Sequence, residues 1–200
     1  GDVHGSWFDR PYVEGYGIRT SLMSVKHYVD SMRTAVGADN LLFLDAGDCL
    51  QGDNAAYYYN YVRTDVPHLY PRIAEYMGYD AVIVGNHDVE TGHKVYDRVA
   101  SQFAQAGIPW LGGNALRISD GTPYFPVWKV FERAGMRVAV LGFTNPNMRA
   151  WLSEPVWRGI DFVSLLPFVQ QCVDAVKAKE NPDAVVAVVH SGTGAGDGSM

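Results

Sequence analysis

Short apolar runs that end in polar residues recur along this chain, and they constrain its fold more than any other feature. The runs cover residues 41–44, 81–84 and 184–189, and the last is mostly β-branched. Segments with helical periodicity lie between them. Strands that alternate with helices predict a layered α/β fold, and continuously apolar strands predict a sheet that is covered on both faces.

Helical segments are identified by apolar residues that lie three or four positions apart. This spacing predicts helices over residues 18–36, 69–77, 93–106 and 165–176. Residues 110–111 are a short strand candidate. Residues 125–132 and 136–141 flank Ala134-Gly135 and predict a hairpin of two strands. The hairpin makes the expected sheet mixed rather than purely parallel.

Composition narrows the classes of function. The 200 residues include 16 Lys and Arg against 22 Asp and Glu, a formal net charge of −6, and 48% are hydrophobic. Disorder requires low hydrophobicity with high net charge, so the chain is expected to fold. The acidic balance argues against nucleic acid as a partner, because phosphate backbones need clustered Lys and Arg. No apolar run is long enough for a membrane span, and the two cysteines show no disulfide or zinc-finger spacing.

Polar side chains that can bind metal follow each apolar run. In an open α/β sheet, ligands bind beyond the carboxyl ends of the strands, so these side chains are expected at one edge of one sheet. Each of them alone is also typical of a turn or a helix cap. Together they favour a metal site, and mixed His, Asp and Asn ligation suits Mn, Co, Ni, Fe or Zn better than calcium. The residues concerned are Asp2, His4, Asp48, Asn86, His87, Asp88 and His190.

Two divalent ions about 3.5–4 Å apart can clamp a phosphoryl group and generate hydroxide near neutral pH. Holding two cations that close requires a bridging carboxylate. The spacing of the polar residues therefore favours two-metal hydrolysis over a purely structural role for these strand ends.

Four motifs occur in a recognisable order: Asp-Val-His-Gly at 2–5, Gly-Asp-Cys-Leu-Gln-Gly at 47–52, Gly-Asn-His-Asp at 85–88 and Val-His-Ser-Gly at 189–192. Together they resemble the calcineurin-like metallophosphoesterases. Gln51-Gly52 and Glu90 are more similar to the branch of 5′-nucleotidases and 2′,3′-cyclic-nucleotide phosphodiesterases. The resemblance implies a four-layer α/β/β/α sandwich with mixed sheets, two divalent metal ions and a small nucleotide or phosphoester substrate.

The resemblance also implies roles for individual residues. Asp2 and His4 would ligate the first metal, Asp48 would bridge both, and Asn86 and His190 would ligate the second. His87 would face the phosphate, beside Asn86, and would stabilise charge or protonate the leaving alkoxide. Glu90 would orient His87, although the family usually has Asp at this position.

Three parts of the family pattern are absent from residues 1–200: the strand before Asp2, the final Gly-His-x-His motif and a second domain that holds the base. The chain is therefore expected to be a catalytic domain that is incomplete at both ends. If it follows bacterial 5′-nucleotidases, the resemblance implies a periplasmic or cell-envelope location. The sequence does not indicate an oligomeric state.

Other interpretations stay open at this point. The chain could bind metal or nucleotide without turnover, act on a phosphoester other than a nucleotide, or be a structural α/β domain. Glycines at 192, 194, 196 and 198 do not match a phosphate-binding motif. The tyrosines at 57–61 are interpreted as packing against the core rather than as a base-stacking patch, and Cys49 as a small buried residue rather than a nucleophile.

Overall fold

The computed structural model describes residues 1–10, 15 and 17–192. Its helices are α1 (Leu22–Val36), α2 (Asn54–Tyr57), α3 (Leu69–Met77), α4 (Asn86–Glu90), α5 (His93–Ala106), α6 (Met148–Trp151), α7 (Glu154–Trp157) and α8 (Leu165–Glu180). Its strands are β1 (Leu44–Asp45), β2 (Ala81–Ile83), β3 (Trp110–Leu111), β4 (Ala115–Arg117), β5 (Trp128–Arg133), β6 (Met136–Phe143), β7 (Ile160–Phe162) and β8 (Ala184–Val189). A 3₁₀ turn (Ala38–Asn40) and a π-helical turn (Tyr58–Val62) complete the elements.

The strands form two main sheets. In the first, β1, β2 and β3 are adjacent and parallel. In the second, β6 lies in the middle, antiparallel to β5 and parallel to β8. A small antiparallel pair, β4 and β7, lies apart from them. The hairpin of β5 and β6 is confirmed, with Ala134 and Gly135 both at positive φ in its turn.

Three apolar layers separate the sheets and helices. Buried side chains of α3 and α5, such as Met77 and Phe103, pack with Val82 of the first sheet. Ile83 and Val140 lie in the layer between the two sheets. Side chains of β6 that point the other way pack on α8 in the third layer. The order is therefore helix, sheet, sheet, helix, and the four-layer α/β/β/α sandwich is confirmed.

The expectation of one mixed sheet is wrong, because the hairpin pairs with β8 in a sheet of its own. β8 was expected to be covered on both faces. Among the described strands, however, it pairs with β6 alone, so it lies at the edge of its sheet. Val186 and Val189 are accordingly 38% and 39% exposed. The two sheets approach closely at Gly142, where an added Cβ would lie 2.3 Å from the Cβ of Leu111.

The helices at 69–77 and 93–106 are confirmed, whereas the first helix begins at Leu22 instead of residue 18. Ser21 ends the extended chain there, because its hydroxyl accepts the N–H of Met23 at 3.2 Å and caps the helix. Ile18 is largely exposed. Among the described helices, none combines the length and apolar character that crossing a bilayer would need.

Candidate metal centre

Asp48 lies at the centre of the site, in the loop that follows β1. The residue is buried and has a positive φ of 62°. Its Oδ1 accepts the backbone N–H of His87 at 2.9 Å, and its Oδ2 lies 3.1 Å from Nε2 of His190. The carboxylate thus contacts residues that follow one strand in each sheet. Burial raises the pKa of Asp48, but the hydrogen bond and charge of His190 outweigh it, and the net shift is downward.

The N-terminal segment runs beside this loop. The N–H of Asp2 donates to the carbonyl of Gly47 at 2.8 Å, and the N–H of His4 donates to that of Asp48 at 3.0 Å. Asp2 and His4 have positive φ values of 57° and 46°. Left-handed backbone at three non-glycine residues of one site is a strained arrangement, of the kind that clusters at functional sites.

His190 follows β8, and a hydrogen bond to a backbone carbonyl orients its ring. Its Nδ1 lies 2.7 Å from the carbonyl of Ala46, so this nitrogen carries the proton and donates it. Its Nε2 then points at Oδ2 of Asp48 and at Oδ1 of Asn86, 3.0 Å away. Burial lowers the pKa of His190, but its contacts with Asp48 and Ala46 outweigh this and raise the pKa to about 9.

His87 and Asn86 are the first two residues of α4, so their side chains leave the helix in different directions. Asn86 faces His190, whereas Nδ1 of His87 lies 2.6 Å from Oε2 of Glu90. Gln51 donates to the same oxygen of Glu90 at 3.0 Å. The ring of His87 meets the ring of His4 edge to face at 5.1 Å. The i,i+3 spacing on α4 is what brings His87 and Glu90 together.

The structure thus brings all seven residues predicted for the site into one region. One ligand atom from each of His4, Asp48 and His87 lies within 4.8 Å of the others, and the same holds for Asp2, Asp48 and His190. Asp48 is common to both groups. The roles given to the seven residues stay predictions.

Asp88, which the sequence analysis placed at a strand end without giving it an individual role, holds the Asp48 loop in place. Its fully buried carboxylate accepts four backbone N–H groups at 2.9–3.0 Å, those of Asp48, Cys49, Leu50 and Gly85. Burial, and then the charge of Asp48, raise the pKa of Asp88 to about 6. An acidic residue in the first turn of α4 is the sequence signal that could have predicted this backbone-capping role.

Gly85 allows the two loops of the candidate site to touch. A Cβ at this position would lie 2.0 Å from Oδ1 and 2.5 Å from the backbone nitrogen of Asp48. Only glycine avoids this overlap. The glycine before Asn86 therefore sets the distance between the loops that follow β1 and β2.

The site opens into a cavity of about 380 Å³. Asn145, Trp151, Val189 and Ser191 line it together with the predicted ligands. The tyrosines at 57–61 do not line this cavity, and the expectation that they pack on the core is wrong for Tyr57, Tyr58 and Tyr61, which are exposed on a helical segment. The glycine-rich run from residue 193 lies outside the described residues.

Cys49 is fully buried, as the sequence analysis expected. Burial raises the pKa of its thiol well above the ordinary value, and the charges of Asp45 and Asp88 add to the shift. A thiol that stays protonated is a poor nucleophile. Cys49 therefore packs beside Asp48 without taking part in the chemistry.

The donor set fits divalent cations. Nδ1 of His190 donates to Ala46, so Nε2 is the ring nitrogen that faces the site, and it lies about 3 Å from two oxygen acceptors. Three acceptors that close together need a cation between them, either a proton or a metal ion. Imidazole, carboxylate and amide ligands suit the borderline transition metals.

No family model matches the chain. A 5′-nucleotidase of Vibrio cholerae is 28% identical over 96% of this chain, and the chain spans 32% of that relative's length. Among solved structures, the calcineurin-like phosphoesterase YfkN of Bacillus subtilis superposes with a TM-score of 0.84 at 20% identity, covering 96% of this chain and 60% of that one.

A 5′-nucleotidase precursor of Thermus thermophilus superposes with a TM-score of 0.62 at 26% identity, over 79% of this chain and 29% of that one. The sequence and fold comparisons agree with the motifs that surround Asp48 and His87. This chain is therefore related to the 5′-nucleotidases over nearly its whole length and has the fold of the calcineurin-like phosphoesterases.

Proposed function

We propose that this chain holds a dinuclear metal centre of a phosphoric ester hydrolase that acts on nucleotides, as a 5′-nucleotidase, a 2′,3′-cyclic-nucleotide phosphodiesterase or both. One observation carries the proposal: two groups of metal-binding side chains share the buried carboxylate of Asp48. The similarity to 5′-nucleotidases supports nucleotides as the substrate class.

In this proposal Asp2 and His4 would hold one divalent ion, Asn86 and His190 would hold the other, and Asp48 would contact both. This pairing follows the family resemblance, since the two geometric groups pair Asp48 with His4 and His87 and with Asp2 and His190. The bound ions would polarise the phosphate and lower the pKa of an attacking water. The carbonyl of Ala46 fixes the tautomer of His190, and Asp88 fixes the backbone of Asp48. Hydrogen-bonded partners of this kind keep metal ligands oriented.

His87 acts on the substrate rather than on the metal. A nucleotide ester has a poor alkoxide leaving group, which needs a proton or a compensating positive charge in the transition state. Nδ1 of His87 is engaged by Glu90 at 2.6 Å, so the opposite nitrogen, Nε2, is the one free to face the phosphate. General acid catalysis by imidazole typically contributes about 10²–10⁴-fold.

Glu90 has one methylene more than the Asp that the family usually carries here. Its carboxylate nevertheless reaches hydrogen-bonding distance of His87, and Gln51 holds it from the other side. This contact supports turnover over the alternative of a binding protein without activity. The precursor form of the Thermus thermophilus relative supports an exported location for the whole protein.

The experiment compares His87→Asn with the unchanged full-length protein on two substrates, a nucleoside 5′-monophosphate and nitrophenyl phosphate. We expect unchanged metal content, hydrolysis of the nucleotide slowed about 10²–10⁴-fold, and a much smaller loss on the activated nitrophenyl ester. The matched control is His27→Asn, which changes an exposed histidine of α1 outside the site. Equal losses on both substrates would contradict proton donation, and loss of metal would make His87 a ligand.

A further inference from the structure

Gln51 lies three residues after Asp48 and contacts the side chain that orients His87. Its Nε2 donates to Oε2 of Glu90 at 3.0 Å. The same oxygen lies 2.6 Å from Nδ1 of His87. An ionised carboxylate only accepts hydrogen bonds, so one oxygen of Glu90 is held from two directions, by the amide and by the imidazole.

Glu90 is a long side chain in a half-open position. It ends α4 and its side chain is 40% exposed, so packing does not confine it. Glutamate has one more rotatable bond than aspartate and therefore more rotamer freedom to lose when it is ordered. A single contact with His87 would let the carboxylate and the ring move together. A donor on a separate loop removes that freedom.

The backbone that carries Gln51 is anchored at Leu50. The N–H of Leu50 donates to Oδ1 of Asp88 at 2.9 Å. The carbonyl of Leu50, which belongs to the peptide bond with Gln51, accepts from Nδ2 of Asn60 at 2.6 Å. Asp88 also binds the N–H of Asp48. Gln51 therefore extends from the same anchored loop as the predicted bridging carboxylate.

A buried polar chain fixes the orientation of Asn60. Nδ1 of His68 accepts the N–H of Tyr70 at 3.1 Å, so the proton of this imidazole lies on Nε2. Nε2 then donates to Oδ1 of Asn60 at 2.9 Å, which leaves the amide nitrogen of Asn60 to bind Leu50. Burial lowers the pKa of His68 to about 3, so the ring stays neutral and keeps this arrangement near neutral pH.

We propose that Gln51 is a positioning residue for the proton donor: it fixes the carboxylate of Glu90 so that Nε2 of His87 stays directed at the leaving oxygen of the ester. The proposal rests on the proposed function and adds a direct link from the loop of Asp48 to His87. Because its amide is neutral, Gln51 holds the carboxylate without cancelling the charge that pairs with the imidazole.

The kinetic test uses Gln51→Met in the full-length protein, because methionine is unbranched like glutamine and has no N–H to donate. For a nucleoside 5′-monophosphate we expect kcat to fall about 10- to 100-fold, the usual cost of removing a partner that orients an active-site group, with KM nearly unchanged. For nitrophenyl phosphate, whose leaving group needs no proton, kcat should fall much less. Equal losses on both substrates, or no loss on the nucleotide, would overturn the proposal.

The matched control is Gln170→Met, which breaks an equivalent hydrogen bond on α8, from Nε2 of Gln170 to Oδ1 of Asp174 at 2.9 Å, away from the cavity. We expect it to change neither rate. Gln51→Met should also keep its metal content, since Gln51 is not among the predicted ligands. Loss of metal would assign Gln51 a structural role in the Asp48 loop instead.

A double-substitution cycle tests whether Gln51 acts through Glu90. In a Glu90→Gln background, Gln51→Met should cause no further loss of nucleotide hydrolysis, because the side chain that Gln51 orients is already disabled. A further loss in that background would show that Gln51 acts elsewhere and would overturn the proposal.

¹⁵N NMR of the imidazole rings separates this proposal from the proposed function, because it needs no turnover. The signals of His87 are assigned by their absence in His87→Asn. We expect one tautomer with the proton on Nδ1 in the unaltered protein and a mixture of tautomers in Gln51→Met, and unchanged signals of His87 would overturn the positioning role. If the unaltered protein hydrolysed neither ester, the proposed function would fail, and the NMR result would still decide whether Gln51 orients His87.

Discussion

Gly85→Ala is the substitution for which the structure makes its sharpest prediction. The added Cβ would lie 2.0 Å from Oδ1 of Asp48 and 2.5 Å from its backbone nitrogen, and contacts under 3.0 Å force a neighbour to move. Asp48 must therefore shift by at least about 1 Å. Rotation of its side chain does not relieve the overlap, because the backbone nitrogen is involved and both carboxylate oxygens are engaged by His87 and His190.

The magnitude follows from this shift. Overpacking of a tight site costs about 1–3 kcal/mol, which lowers Tm by about 2–12 °C in a chain of this size. Metal ligands tolerate displacements of only about 0.2 Å, and a misplacement of about 1 Å can cost about 10²-fold in rate. We therefore expect a small loss of stability and a large loss of metal affinity and hydrolysis.

The assay is a thermal melt together with a metal titration of the full-length protein. Gly17→Ala is the matched control, because a Cβ there meets no atom of the described residues within 4 Å and the residue does not have positive φ. The control should leave both measurements unchanged. If Gly85→Ala bound metal as tightly as the unaltered protein, the close contact between the two loops could not be what positions Asp48.

Three further predictions concern buried polar side chains. Elemental analysis of Asp48→Asn should show that both metals are lost, since Asp48 is common to both ligand groups. The control Asp65→Asn changes an exposed ion pair and should keep both metals. Retention of two metals by Asp48→Asn would contradict the bridging role of Asp48. Asp88→Asn leaves two of the four backbone N–H groups facing an amide NH₂, and each hydrogen bond that is not made costs about 1–3 kcal/mol. Removal of a charge beside Asp48 partly offsets this cost. We expect a lower Tm and weaker metal binding, and an unchanged metal affinity would contradict the role of Asp88 in holding the Asp48 loop. Burial lowers the pKa of His68 to about 3, so the folded state disfavours protonation of His68. The free energy of unfolding should therefore fall by about 1.4 kcal/mol per pH unit as pH drops from about 6 to 4. Denaturant unfolding of His68→Gln should show a flatter dependence of stability on pH, and parallel pH dependences for the variant and the unaltered protein would contradict this.

The sequence by itself determined which polar side chains meet at the candidate site. Residues that follow an apolar strand within a few positions lie at its carboxyl end, so Asp48, Asn86 and His190 could be placed without coordinates. The i,i+3 spacing of His87 and Glu90 on one short helix is a local relation as well. The hairpin turn at Ala134-Gly135 is likewise local, and its position was predicted correctly.

Only the tertiary structure decided how these local pieces combine. The hairpin and β8 form a separate sheet instead of joining β1–β3, because strand pairing between distant segments depends on the packing of whole layers and leaves no local pattern. The four N–H groups that Asp88 binds come from two loops that are distant in sequence, at residues 48–50 and at residue 85. Trp151 faces the same cavity as Asp48 only because Met148 and Arg149 anchor α6 to the core and to Asp161. Contacts of this kind arise from long-range packing, which periodicity and spacing do not encode.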